Sequence, residues 1–224
     1  METQNNRRNT KMNFELRASD ISKSFECLPV LKNITIEVSA GEGLIITGAN
    51  GSGKSTLIRI LSGLNRPTSG EVIFSADGNI VHREDRRLYY SLVSPDMQFY
   101  EELSARENMI FFIRIRGMQS PDIEMNEVLG RYGLQGRGND LVKSYSSGMK
   151  QRLKYVVALL SKPEVLFLDE PTSNLDEAGL ELVDAICEEQ KKRGILVVAT
   201  NDKRDFKYGE KIIRLSGRGS RSTD

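Results

Sequence analysis

The spacing of apolar and polar positions divides the chain into a β-rich start, an α/β core and a helical middle. Residues 14–20 and 31–38 read as strands, the second carrying Ile34, Ile36 and Val38 on one face as a half-buried sheet does. They predict an antiparallel β portion. Residues 44–47 form a buried strand that enters a glycine-rich turn and a helix near 55–64, where Leu57, Ile58, Leu61 and Leu64 share a face. Arg66-Pro67-Thr68-Ser69-Gly70 is turn chemistry that stops this helix before a strand at 71–74. Ser104-Ala105-Arg106-Glu107 has the spacing of a capping box heading a helix rich in Ile and Phe, and a second helix is expected near Pro121 with Ser120 as its cap. Residues 165–168 and 195–199 are continuous apolar runs of the kind found in central parallel strands. The mostly helical stretch between roughly 100 and 160 is therefore a lobe inserted into an α/β core.

With 224 residues and 38% hydrophobic content, the chain can bury one substantial core, read here as one domain in two lobes. The expected domain is 14–215, with its helical subdomain at about 96–160 and loose tails at 1–13 and 216–224; Met12 is a candidate start. Basic and acidic residues nearly cancel, 32 against 31, so no global field draws in a polyanion and no nucleic-acid partner is expected. Cys27 and Cys187 lie far apart without metal-ligand spacing, which suits buried thiols in a reducing cytoplasm. No apolar run approaches the roughly 20 residues needed to cross a bilayer.

The strongest motif is Gly48-Ala49-Asn50-Gly51-Ser52-Gly53-Lys54-Ser55-Thr56, a Walker A pattern set between an apolar strand and a helix. Its glycines let successive backbone N–H groups turn toward phosphates, and the helix start adds partial positive charge. Lys54 is placed to bridge the outer phosphates, Ser55 to ligate Mg²⁺, and Thr56 to bond an inner phosphate. A second acidic pair, Asp169-Glu170, ends the apolar run 165–168, at the sheet edge where open α/β folds assemble ligand sites. Asp169 would hold the metal and Glu170 would orient the attacking water; read alone, the pair could equally stop a strand and cap the next element.

Tyr145-Ser146-Ser147-Gly148-Met149-Lys150-Gln151-Arg152 resembles the signature of ABC transporter ATP-binding subunits, usually Leu-Ser-Gly-Gly-Gln, and precedes the acidic strand as that family requires. A bare Ser-Ser-Gly is more often a helix cap, and order and spacing give this one its weight. The resemblance runs from about residue 14 to 215. It implies an α/β P-loop NTPase of ABC type, with a mainly parallel core sheet, an antiparallel β subdomain and an inserted helical subdomain. It also implies ATP and Mg²⁺ as ligands, with Ser146, Ser147, Gly148 and Met149 meeting the γ-phosphate held by another subunit. The pair is a homodimer or a pseudo-dimer with another cassette, coupled to a separate transmembrane permease on the cytoplasmic face of the membrane. Ser173-Asn174-Leu175-Asp176 looks like the D-loop, and Phe25 matches the aromatic that stacks on adenine, although an isolated Phe there reads equally well as core.

Two positions depart from the family. Where relatives carry a glutamine near the metal, the chain has Val93-Ser94-Pro95-Asp96, with Gln98 downstream. Where they carry a switch histidine it has Asn201, which can hydrogen-bond the γ-phosphate without the histidine's charge, so slower hydrolysis is expected. His82, the sole histidine, falls in a polar segment and reads as surface. Phe99-Tyr100-Glu101-Glu102 is a candidate lining of a groove for the membrane partner, the alternative being Phe99 in the core and the acids in a solvated loop. The short cassette is similar to single-domain exporter subunits, including the haem exporter of cytochrome c maturation. Within the family the alternative is a non-transport or regulatory ATPase with slow turnover.

Overall fold

Nine strands and five helices follow one another among the described residues, which in the computed structural model are 12–26, 28–118, 122–173 and 175–216, with only the backbone of 122–124. Most of the expected tails, 1–11 and 217–224, together with Cys27, Ser120, Pro121 and Asn174, lie outside them. The first half runs β1 (Phe14–Phe25), β2 (Leu28–Ser39), β3 (Gly43–Thr47), α1 (Lys54–Leu61), β4 (Ser69–Ala76), β5 (Asn79–Val81) and β6 (Tyr90–Val93). The second half runs α2 (Ala105–Arg114), α3 (Asp122–Arg131), α4 (Ser147–Leu160), β7 (Val165–Asp169), α5 (Glu177–Arg193), β8 (Ile195–Ala199) and β9 (Lys211–Arg214).

The β-rich start folds into an antiparallel sheet of order β2-β1-β4-β5, and the remaining strands form a parallel sheet of order β6-β7-β8-β3-β9. In the parallel sheet every residue of β3, β7 and β8 is buried, whereas the edge strand β9 alternates half-buried and exposed positions. This explains the uninterrupted apolar runs, since a central strand has no solvent face to leave polar. Alternate residues still serve different layers: Leu44, Ile46, Val165, Phe167, Ile195 and Val197 join the core beneath the antiparallel sheet. Ile45, Leu166, Leu168, Leu196 and Val198 pack on the opposite side with Val183 and Ile186 of α5. A separate core of Met109, Met125, Leu129, Leu153 and Val156 holds α2, α3 and α4 together as the helical lobe.

Several expectations are corrected. β1 continues past Asp20 because a residue at φ 51° and shifts in register break the alternation while pairing with β2 goes on. The helix after the glycine-rich turn ends at Leu61: Gly63 takes φ 82°, and Leu64 is 58% exposed instead of sharing the buried face. Contacts with the fold also begin before residue 14, because Asn13 exchanges hydrogen bonds with Asp77 and Met12 packs against the core. The capping box stands: Ser104 Oγ accepts from Glu107 N–H, and the Glu107 carboxylate accepts from Ser104 N–H at 2.7 Å. Cys187 is buried, which pushes its thiol pKa up, and His82 is exposed.

Candidate active site

Register brings three strand ends to one edge. Asp169 of β7 lies opposite Ala199 of β8, and Ala199 lies opposite Ile46 of β3, so the chain leaves the sheet side by side at residues 48, 170 and 200. From β3 it enters the glycine-rich loop. Gly48 sits at φ 152°, where a Cβ would come within 2.6 Å of the Leu215 carbonyl and the Ser52 hydroxyl, so only glycine fits. Gly53 caps α1 at φ 100° without a side-chain hydrogen bond, and the first turn of α1 carries no acid. The leading amides and positive end of the helix are thus left for an anion. Ser52 Oγ is buried with no hydrogen-bond partner, an arrangement that costs about 1–3 kcal/mol unless a ligand supplies the partner. Ala49, Asn50 and Gly51 are exposed, while Ser55 and Thr56 lie half-buried in the first turn of α1.

Lys54, only 6% exposed, folds back over the loop, its ammonium donating to the carbonyls of Gly48 at 2.9 Å and Ala49 at 3.4 Å. The same Nζ stands 3.5 Å from Glu170 Oε1. Glu170 leaves β7 at φ 51°, a left-handed conformation that turns its carboxylate out of the strand, and its N–H still donates to the Ala199 carbonyl at 2.8 Å. Strain of this kind costs about 1–3 kcal/mol and collects where geometry matters for function. Burial raises the Glu170 pKa against the pull of Lys54. Asp169 is likewise raised by burial, opposed by Ser55, Arg59 and Lys54, and its Oδ1 is buried without a partner. An unpaired carboxylate oxygen beside a serine hydroxyl and the phosphate loop is the donor set a hard divalent cation takes, so Ser55 and Asp169 fit Mg²⁺. Across the edge, Asn201 Nδ2 donates to Asn50 Oδ1 at 2.9 Å, which places the third strand end on the loop as well.

The other expected positions surround this centre. Phe25 is 45% exposed at the hairpin end of β1, with Lys23 Nζ 4.7 Å from its ring centroid, so the core alternative is ruled out. The start of β2 lies against the loop, since a Cβ on Gly53 would meet Val30 and Leu31 at 2.9 Å. Ser146 caps α4, its Oγ accepting from Met149 N–H at 3.2 Å; Ser146, Ser147 and Gly148 are exposed and Met149 is half-buried. Asp176 caps α5 through Gly179 N–H at 2.8 Å and lies 3.8 Å from Arg152. The structure therefore joins Lys54, Glu170, Asp169, Asn50 and Asn201 in one centre, with the signature serines facing outward.

Sequence reasoning left the altered glutamine loop open. Its Asp96 pairs with Arg59 of α1 at 2.6 Å, and Lys154 of α4 donates to the carbonyls of Ser94 and Pro95 at 3.1 and 3.0 Å. Gln98 is exposed and lines a cleft of about 510 Å³ together with Asp169, Glu170 and Ser147. No periodicity or motif marks Arg59 or Lys154 for this role.

A lysine-bearing phosphate loop beside two acids at the carboxyl edge of a parallel sheet defines a P-loop nucleotide hydrolase. The ABC transporter family profile matches residues 31–173, and the chain belongs to that family as an ATP-binding, ATP-hydrolysing subunit. It is 33% identical over 186 residues to a lantibiotic transport ATP-binding protein of Streptococcus pyogenes, covering 83% of this chain and 79% of that one. It is 34% identical over 212 residues to a putative hemin import ATP-binding protein of Staphylococcus saprophyticus, covering 89% and 96%. Among solved structures, the ATP-binding subunit of an ABC transporter superposes with a TM-score of 0.79 at 27% identity, covering 89% and 85%. A bacterial ABC transporter cassette solved as a dimer superposes at 0.78 with 25% identity, covering 89% and 94%.

Proposed function

We propose that two cassettes, this chain with a second copy or a related one, clamp MgATP between the phosphate loop of one and the outward-facing Ser146–Gly148 helix start of the other. The single observation that carries the catalytic part is the meeting of Lys54, Glu170 and the unpartnered Asp169 oxygen at one sheet edge. Bound at Ser55 and Asp169, Mg²⁺ supplies charge neutralisation to the phosphate oxygens. Lys54 and the α1 amides draw the phosphates into the loop. Glu170 then takes a proton from the attacking water as the β–γ phosphoanhydride bond breaks, and its raised pKa makes it the better base near neutrality. Asn201 holds its phosphate contact by hydrogen bonding alone, which favours slow turnover. Phe25 offers an exposed ring for the adenine, and Asp176 joins one site to the other across the pair.

A membrane partner would couple this hydrolysis to transport; no helix among the described residues is long and apolar enough to cross a membrane. The helical lobe offers it a surface: Ile110, Phe111 and Ile115 line a groove on α2, continuous with Tyr100, which is 53% exposed and stacks edge-on against Phe111 at 4.9 Å. Phe99 is half-buried against the lobe core and meets Phe112 edge-on at 5.9 Å, so Tyr100 is the residue left to face a permease. On this reading the protein works at the cytoplasmic face of the membrane. The named relatives belong to lantibiotic and hemin systems, and no one cargo follows from them. Phosphate release from MgATP by the purified protein tests the catalytic reading. Glu170→Gln is expected to lower it roughly 10²- to 10⁴-fold, and equal rates would remove Glu170 from the mechanism.

A further inference from the structure

Behind the two catalytic segments lies a carboxylate that the chemistry above does not use. Asp205 sits in the 3-10 turn Lys203–Tyr208 that follows Asn201 and has no exposed surface. The Thr172 hydroxyl lies 2.9 and 3.0 Å from its two oxygens, and Oδ2 accepts from the Thr200 hydroxyl at 2.7 Å. Thr172 follows Glu170 after one intervening residue, and Thr200 directly precedes Asn201. Thr200 Oγ1 also accepts from Asp202 N–H at 3.0 Å, which closes the segment around Asn201. From the other side, Tyr155 of α4 donates its hydroxyl to the Pro171 carbonyl at 2.8 Å.

The sheet ladder stops at Asp169 and Ala199. Beyond it, one backbone bond holds each segment, Glu170 N–H to the Ala199 carbonyl and Thr200 N–H to the Ile46 carbonyl. The side chain that links the two segments to each other is Asp205. A buried carboxylate bonded only to neutral hydroxyls is a costly way to fill space, and burial raises its pKa against both threonines. Its return is geometric, because it is bonded at once to the turn after the base and to the residue before the phosphate contact.

We propose that Asp205 is a positioning residue for ATP hydrolysis, locking the Glu170 turn to the Asn201 segment so that base and phosphate contact are set as one unit. Tyr155 ties the signature helix to the same unit, so closure of the partner cassette on that helix is felt at Pro171. The proposal rests on the ATPase reading above.

Thr172→Val and Thr200→Val each delete one hydroxyl at nearly constant shape and leave the carboxylate the other donor. Thr172→Ser and Thr200→Ser keep both. The valine variants are expected to lower kcat roughly 10- to 100-fold, the scale of a small misplacement of reacting groups, with the KM for ATP held within about twofold because the phosphate loop is untouched. The serine variants are expected to restore kcat, and melting curves to stay cooperative throughout. Unchanged kcat in both valine variants, no rescue by serine, or parallel loss of kcat, ATP affinity and cooperative melting would overturn the proposal. Wild type and Glu170→Gln run alongside: equal rates for those two remove the ATPase reading and this proposal together. A normal difference between them with unaffected valine variants removes this proposal alone.

Discussion

Asp169→Asn is expected to stabilise the nucleotide-free protein while weakening its response to MgATP. The wild-type carboxylate is 6% exposed, one oxygen lacks any partner, and burial outweighs Ser55, Arg59 and Lys54 in setting its pKa. An unsatisfied buried acceptor costs about 1–3 kcal/mol; the amide relieves the charge but keeps a polar atom there, so a gain of about 1 kcal/mol is expected. In a chain of this size that is about 2–4 °C in Tm. MgATP at about 100 times its Kd stabilises wild type by roughly 2.7 kcal/mol, or about 5–11 °C. The variant, with a neutral amide in place of the carboxylate proposed to hold Mg²⁺, should show only the smaller shift that ATP produces with EDTA. The pH dependence has a definite sign. A folded-state pKa raised above 3.8 means that the folded protein binds more protons than the unfolded one in the window just above that value. Wild type therefore gains stability as pH falls through that window, and the variant's advantage narrows there. Thermal melts with and without MgATP, at neutral pH and near pH 4.5, measure all three effects. A less stable nucleotide-free variant, or an unchanged MgATP shift, would refute the reasoning.

Other perturbations separate parts of the site. Gly51→Ala meets open space at φ 78° and should cost only the left-handed penalty of about 1–2 kcal/mol, whereas Gly53→Ala at φ 100° also drives a Cβ to 2.9 Å from Val30 and Leu31. Melting should therefore fall further for Gly53→Ala, and ATP affinity with it; equal effects of the two would show that the loop can shift away from β2. Phe25→Ala should raise the KM for ATP by roughly tenfold with kcat unchanged, as loss of base stacking worth about 1–3 kcal/mol requires. An unchanged KM would place the adenine elsewhere.

The architecture was legible where the chemistry is local. Central strands announce themselves as unbroken apolar runs, and the glycines and Lys54 of the phosphate loop lie within nine consecutive residues. Helix periodicity overran at Leu64 because the stop comes from the backbone of Gly63, not from any change in pattern. What remained hidden are contacts between residues far apart in sequence. Arg59 meets Asp96, Lys154 meets the Ser94 and Pro95 carbonyls, and Asp205 meets Thr172, each across more than thirty residues. No one of these side chains has a local reason to be special, and the parallel register that aligns β6, β7, β8 and β3 brings their segments to one edge. Phe25 was undecided for the opposite reason: whether an aromatic at a hairpin end is core or surface depends on what covers it, and here nearly half of it faces solvent.

The clamp itself is tested most directly by the mass of Glu170→Gln in solution. With MgATP the variant should double in mass by light scattering, return to a single chain when EDTA is added, and stay single when Ser146→Arg blocks the signature helix start. A variant that binds MgATP yet remains a single chain, or one that pairs equally well without nucleotide or with the Ser146→Arg change, would contradict a nucleotide held between two copies of this chain.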